Sequence, residues 1–177
     1  MWYVFAMETT CTVCQKPKAN LTCGLCQELI CKACAQFVDE DYFEFLSEAP
    51  TRFVQLTCCG PCFDIQVAPE LDRYNQTLEL AKNVFVFNKD QSKETRLIKR
   101  KLNPVRVVDC PDHDEAILRL AFQAVKVQCN AMVDVLVTPK KVKSGSYQTT
   151  LWSAQAIPVR IDADRYESDR PTLKNPN

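Results

Sequence analysis

A chain of 177 residues is long enough for one or two domains, and 46 % apolar with 25 % charged residues is the composition of a globular protein with a core. No apolar run approaches the roughly 18 residues of a membrane-spanning helix, and three glycines leave little material for a glycine-rich phosphate loop. The formal net charge of zero hides a division: residues 1–66 hold four Lys/Arg against eight Asp/Glu, whereas 84–161 hold thirteen against seven. Two modules of opposite sign are therefore expected.

The opening Met1-Trp2-Tyr3-Val4-Phe5-Ala6 is apolar but too short for a signal peptide, and it lacks a basic start and a cleavage site. The expectation is a cytoplasmic protein, with Met7 as an alternative start to Met1. The cysteines come next. Eight of the eleven form four CxxC pairs: Cys11/Cys14, Cys23/Cys26, Cys31/Cys34 and Cys59/Cys62. Two intervening residues let both thiolates of a pair reach one ion from a tight turn. Four thiolates make a closed tetrahedral zinc site, which is structural rather than catalytic. Disulfides are disfavoured by the odd count and the missing secretion signal, and a redox CxxC occurs once beside a βαβ unit rather than four times. Two zinc ions are expected. The gaps of eight, four and twenty-four residues between pairs admit two schemes, consecutive pairs sharing an ion or interleaved pairs sharing one.

The order and spacings resemble the FYVE-type and RING-type zinc fingers. The four-residue gap between the second and third pairs, the all-cysteine set and the aromatic in Cys59-Gly60-Pro61-Cys62-Phe63 make the FYVE type the nearer likeness, over about residues 8–66. The resemblance implies a treble-clef/cross-brace finger in which Cys11, Cys14, Cys31 and Cys34 bind one zinc, and Cys23, Cys26, Cys59 and Cys62 the other. Cys58 is an alternative ligand to its neighbour Cys59. FYVE fingers that bind phosphatidylinositol 3-phosphate carry an Arg/His run before the third pair. Here that run is Gln27-Glu28-Leu29-Ile30, without a cation, so no binding of that lipid is expected. The acidic-aromatic stretch Asp39 to Leu46 reads either as aromatics tucked onto the finger or as an exposed docking surface.

Residues 67–83 predict a connector helix. Pro69 suits a first helical position, and Leu71, Tyr74, Leu78 and Ala81 fall on one face. From Val84 the pattern changes. Val84–Phe87 reads as a strand, Asn88–Ser92 as a turn, Thr95–Lys101 as a partner strand and Val105–Val108 as a further strand. Asp112 with Glu115 is a capping-box pattern that starts a helix running to about Gln128. Met132–Thr138 and Tyr147–Ile161 read as strands joined by the polar turn Lys143-Ser144-Gly145-Ser146, with Pro158 weakening the last strand. The core order is strand, helix, strand, strand.

That order resembles a family of small bacterial domains known as YbjQ-like and described as heavy-metal-binding. The likeness rests on Gln128-Cys129-Asn130-Ala131 leading into the central strand, and on Gly145-Ser146-Tyr147 and Trp152-Ser153-Ala154 in the closing hairpin. It covers roughly 84–161, and two of the family's glycines are replaced by Gln128 and Ala154. The resemblance implies ring-forming domains. The helix Ala116–Val127, polar only at Arg119, Gln123 and Lys126, points the same way, to a homo-oligomer through residues 84–161.

The expected class is thus α+β: a double-zinc finger (8–66), a connector helix (67–83), a strand–helix–strand–strand module (84–161) and a disordered tail (162–177). One histidine, His113, starves any His-based acid–base or nucleophilic mechanism, and no enzyme is expected. The expected function is a zinc-stabilised protein-interaction or scaffold protein of bacterial type, with an unknown protein partner. Two alternatives stand beside it. One is a soft-metal sensor or buffer using Cys110, Cys129 and Cys58. The other is a nucleic-acid binder acting through Lys93, Arg96, Lys99, Arg100, Lys101, Lys140, Lys141 and Lys143. The second is disfavoured because no aromatics are interleaved with these cations.

Overall fold

The computed structural model describes residues 9–46, 53, 55–91, 95–145 and 147–164, with the side chains of Glu40 and Ser144 outside the description. The opening Met1–Ala6, Lys93, Ser146 and the tail from Arg165 onward lie outside the described residues. The chain divides into two compact units, Met1–Asn75 and Gln76–Asn177.

The first unit is built from two small antiparallel hairpins. Strand β1 (Leu21–Thr22) pairs with β2 (Leu29–Ile30), and β3 (Ala35–Val38) pairs with β4 (Leu56–Cys59). A helical segment follows β4 directly: α1 (Gly60–Cys62), a π-helical turn (Phe63–Val67) and α2 (Ala68–Ala81), which crosses the division between the units. Pro69 therefore does not open a helix, as its position suggested, but sits inside one. It has no N–H to give, and its ring would strike the Ile65 carbonyl in a regular α-turn. The backbone widens just before it, with the Ala68 N–H reaching the Phe63 carbonyl five residues back.

The core of this unit is small. Ile30, Val38, Phe43, Phe53 and Val67 are buried together with Cys11, Cys23, Cys58 and Cys59, and Leu71 and Tyr74 pack against them. Phe43, 3 % exposed, stacks on Phe53 at 6.0 Å and meets Tyr74 edge-on at 5.6 Å. The Tyr74 hydroxyl accepts the Phe45 N–H at 3.3 Å. The acidic-aromatic stretch thus turns Phe43 inward and leaves Asp39, Asp41 and Glu44 in solvent.

The second unit is a four-stranded sheet with the order β5-β7-β8-β6. Its strands are β5 (Phe85–Asn88), β6 (Val105–Cys110), β7 (Ala131–Ser144) and β8 (Tyr147–Val159). β5 runs parallel to β7, and the other pairings are antiparallel. The helix α3 (His113–Lys126) packs against β6, β7 and β8. Phe85, Ala131, Val133 and Val159 form a buried cluster with Phe87, Ile98, Ile157 and Ile161.

α3 starts as its sequence dictates. The Asp112 carboxylate accepts the Glu115 N–H at 2.7 Å. Glu115 does not complete the capping box, because its carboxylate takes Arg119 instead, at 2.6 Å. The helix ends in a Schellman arrangement: the Gln128 N–H reaches the Val125 carbonyl and the Cys129 N–H the Ala124 carbonyl. Gln128 occupies the left-handed region, φ 59°, where glycine is usual. Asn130 then ties the start of β7 to the chain just past the end of β8, giving Nδ2 to the Ile161 carbonyl (3.0 Å) and accepting the Ile161 N–H (2.9 Å).

Two expectations change. Thr95–Lys101 forms no strand: Thr95–Leu97 are a turn, and β5 takes β7 as its partner. The segment is held by Arg100, which grips Asp134 through Nε (2.6 Å) and Nη2 (3.1 Å) and reaches the carbonyls of Thr95 and Ile98. Asp134 lies in a bulge of β7 with φ 55°. The turn Lys143–Ser146 also shortens, because β7 runs through Pro139 to Ser144. Pro139 is tolerated because β5 ends opposite Val135, so no strand on that side needs its N–H. Pro158 keeps its place opposite Met132, beyond the end of β6 at Val105.

Candidate metal centres

Each CxxC pair sits in an element that aims both sulfurs one way. Cys11–Cys14 and Cys23–Cys26 form two knuckles built alike. In each, the residue after the second cysteine turns left-handed (Gln15 φ 59°, Gln27 φ 64°). Its N–H returns to the first cysteine's carbonyl: Gln15 to Cys11 at 2.8 Å, Gln27 to Cys23 at 2.9 Å. Its side-chain amide then closes the loop onto the carbonyl three residues back, Thr12 for Gln15 (3.0 Å) and Gly24 for Gln27 (3.1 Å). The knuckle-closing role of the two glutamines does not follow from the cysteine spacing alone. The shared pattern CxxCQ was the available signal.

The third and fourth pairs use helical turns. Cys31 and Cys34 flank a 3₁₀ turn, with the Cys34 N–H on the Cys31 carbonyl at 3.0 Å. Cys59 is the N-cap of α1 and Cys62 lies within it, so a single helical turn brings both thiols to the same end of the helical segment. Two backbone bonds cross-link these pieces. The Thr12 N–H meets the Leu29 carbonyl at 2.9 Å, fixing the first knuckle to the strand that leads into Cys31. The Gly24 N–H meets the Thr57 carbonyl at 2.8 Å, fixing the second knuckle to the strand that leads into Cys59. Gly24 packs closely here: a Cβ there would lie 2.6 Å from Leu56 Cδ1, so the Leu56 side chain would have to swing aside.

The result is two groups of four sulfurs, Cys11/Cys14/Cys31/Cys34 and Cys23/Cys26/Cys59/Cys62, the ligand atoms of each within 4.8 Å of one another. The pairs interleave, first with third and second with fourth, as in a cross-brace. Cys14 and Cys31 sulfurs are 3.7 Å apart, and those of Cys26 and Cys59 are 3.9 Å apart. A tetrahedron with zinc–sulfur bonds of about 2.3 Å has edges of about 3.8 Å.

The donor chemistry also fits a cation. Backbone N–H groups of Cys14, then Cys31 and Val13, bring the Cys11 thiol down to about 6 against the opposing effect of burial. Burial alone would raise Cys23, but the N–H groups of Cys26 (3.5 Å) and Cys59 (3.4 Å) bring it to about 6. Cys34 and Cys62 shift the other way. Hydrogen bonding with Cys14 and Cys31 pushes Cys34 up to about 12, and Cys59 pushes Cys62 up. Four thiolates this close repel unless a dication lies between them.

The other candidates are placed elsewhere. Cys58 precedes Cys59 on β4, faces the other way by strand alternation, and stands opposite Gln36. It is buried, with its thiol pushed up to about 11 chiefly by burial. Cys110 and Cys129 are buried thiols that donate to the carbonyls of Val108 and Val127. His113 contacts the Asp114 carboxylate at 2.9 Å and meets Trp152 edge-on. Among the described residues, none of these four joins a metal-holding group. In the stretch Gln27–Ile30, Gln27 is spent on its knuckle, Glu28 accepts the Thr12 hydroxyl at 3.3 Å, and the rest is β2.

No protein-family profile matches the chain, and neither a curated protein nor a solved structure matches it significantly. The geometry defines the class by itself: an α+β chain whose N-terminal unit carries two interleaved four-cysteine groups, each with the geometry to hold a metal ion. No helix among the described residues is long and apolar enough to cross a membrane.

Proposed function

We propose that the two centres bind zinc, that both ions are structural, and that the chain is a non-catalytic protein-interaction or scaffold protein. The observation that carries this is the all-thiolate donor set of each group, closed at four sulfurs. Zinc holds four cysteines tetrahedrally, and such a site keeps no position for water or substrate. When bound, zinc supplies charge neutralisation and cross-linking. The protein's own part is to aim the eight sulfurs, through the knuckles, the 3₁₀ turn and the start of α1.

The interaction role is supported by apolar side chains left in solvent on a unit with a small core. Val13 and Phe37 are more than 40 % exposed, and Ile65 is 75 % exposed. The finger's likeness to FYVE fingers is one of ligand order. Its acidic exposed residues and the absence of a cation between Gln27 and Ile30 argue against anionic lipid. The test has two arms. Metal analysis of the folded, reduced chain should return two zinc ions, and fewer than 1.5 overturns the metal assignment. Crosslinking in native lysate should capture a protein whose yield falls with Phe37→Glu while zinc content stays at two. Equal capture by wild type and variant overturns the surface assignment.

A further inference from the structure

The hairpin β7–β8 is much longer than the sheet it belongs to. β5 ends its pairing at Val135 and β6 at Trp152, whereas β7 and β8 stay paired from Pro139/Trp152 out to Ser144/Tyr147. The outer five pairs, Lys140/Leu151 to Ser144/Tyr147, are a two-stranded ribbon roughly 17 Å long at about 3.4 Å per residue. Its described residues from Thr138 to Thr149 are exposed except Val142, and Tyr147 near the tip is 80 % exposed.

The ribbon's charge is one-sided. No Asp or Glu occurs between Asp134 and Asp162, and Lys140, Lys141 and Lys143 lie in the outer ribbon. Strand alternation places Lys141 and Lys143 on one face and Lys140 on the other. Their partners across the ribbon are Thr150, Gln148 and Leu151, so two of the three cations stand beside a neutral hydrogen-bonding side chain. Guarding a free strand edge accounts poorly for this arrangement. Pro139 already blocks the β7 edge, while the opposite edge, Tyr147–Leu151, carries no charge at all.

We propose that this ribbon is a binding arm for double-stranded DNA, entering the major groove and neutralising phosphates on both of its walls. The B-form major groove, about 12 Å wide, admits a two-stranded ribbon, and a β-layer is about 10 Å thick with its side chains. Lysines on both faces meet both phosphate walls, and Gln148, Thr149 and Thr150 supply neutral donors and acceptors. The A-form major groove of RNA is too deep and narrow for this fit. Missing aromatic interleaving, which set nucleic acid aside on sequence grounds, is a criterion for stacking single-stranded bases. It does not apply to a ribbon in a duplex groove. The arm belongs to the second unit and is independent of the zinc assignment.

The test is fluorescence anisotropy of the metal-loaded full chain with a 20-base-pair DNA duplex across a salt series. Three phosphate contacts predict a slope of log affinity against log salt of about −2.7, which is about 40-fold weaker binding at 200 than at 50 mM salt. The combined variant Lys140→Gln/Lys141→Gln/Lys143→Gln, with native zinc content and circular dichroism, should bind more than tenfold more weakly at 50 mM with a nearly flat salt dependence. Arginine at all three positions should restore both. The single change Lys141→Glu provides a second readout should the triple variant lose its fold. Wild-type affinity and slope in the triple glutamine variant or in Lys141→Glu, no binding by the native chain at 50 mM salt, or tighter binding of an RNA duplex of the same sequence would each overturn the proposal.

Discussion

The sulfurs of Cys14 and Cys31, seventeen residues apart in the chain, lie 3.7 Å from each other. They belong to different CxxC pairs, so the contact exists only because the first knuckle is bonded to β2 through Thr12 and Leu29. It makes the first centre a joint between two segments of chain, and metal binding there is folding energy for the unit. Cys31→Ala should lower zinc content from two to about one per chain. Strong chelation should abolish hydrogen-exchange protection between Thr9 and Cys62 while the β5–β8 sheet keeps its own. Loss of protection throughout both units would contradict this.

The pH dependence of that loading has a defined sign. Metal binding requires thiolates, so protons and zinc compete and loading falls as the solution is acidified. A zinc-release titration should show a steep acid transition, with each centre giving up its metal as several thiols protonate together. Loading that is flat down to about pH 3 would be incompatible with thiolate ligands of ordinary basicity.

Gln27 holds the left-handed position that closes the second knuckle. Valine there would lose the amide bond to Gly24, worth about 1 kcal/mol, and add the crowding of a β-branched side chain, about 1 kcal/mol more, at a left-handed position. A total of about 2 kcal/mol corresponds to roughly 30-fold weaker zinc retention in chelator competition. Gln27→Gly gives up the amide bond, worth about 1 kcal/mol, but relieves the backbone, and should be nearly neutral. Equal behaviour of valine and glycine would show that the backbone conformation does not matter.

Arg100 holds the Asp134 carboxyl below the ordinary carboxylate range, chiefly by hydrogen bonding and against some burial. A lowered folded-state pKa contributes stability that is present above the unfolded value, near 3.9, and is lost as pH falls through the folded one. Both side chains are about 30 % exposed, so the pair's worth is discounted to about 1 kcal/mol. Asp134→Asn, which tolerates the left-handed backbone, should cost about that much in urea unfolding at pH 7. The deficit should shrink below pH 3. A deficit constant with pH would assign the effect to packing.

Gln128 caps α3 in the left-handed region without a side-chain hydrogen bond among those described. Gln128→Gly should stabilise the second unit by about 1 kcal/mol, since glycine meets no Cβ penalty there. A thermal midpoint unchanged or lowered would show that the Gln side chain contributes something the backbone does not reveal.

The sequence by itself determined the grouping of eight cysteines into four two-ligand grips, because a CxxC turn is local and its reach needs no tertiary partner. It determined the start of α3 at Asp112, where a carboxylate satisfies an N–H three residues away. It also determined the buried character of Ala131–Val133, whose apolar run leaves no polar face to expose. Tertiary structure decided the rest. Gaps of eight or twenty-four residues close onto either neighbouring pair at nearly equal entropic cost, since loop closure varies only logarithmically with length. The β1–β2 and β3–β4 hairpins settle which pairs converge. The choice between Cys58 and Cys59 follows from the register of β4 against β3. The failure of Thr95–Lys101 as a strand follows from β5 finding β7, forty-odd residues on, as a parallel partner. Whether Lys140, Lys141 and Lys143 guard a sheet or stand on an arm beyond it depended on where β5 and β6 stop, and no residue of the ribbon encodes the length of its neighbours.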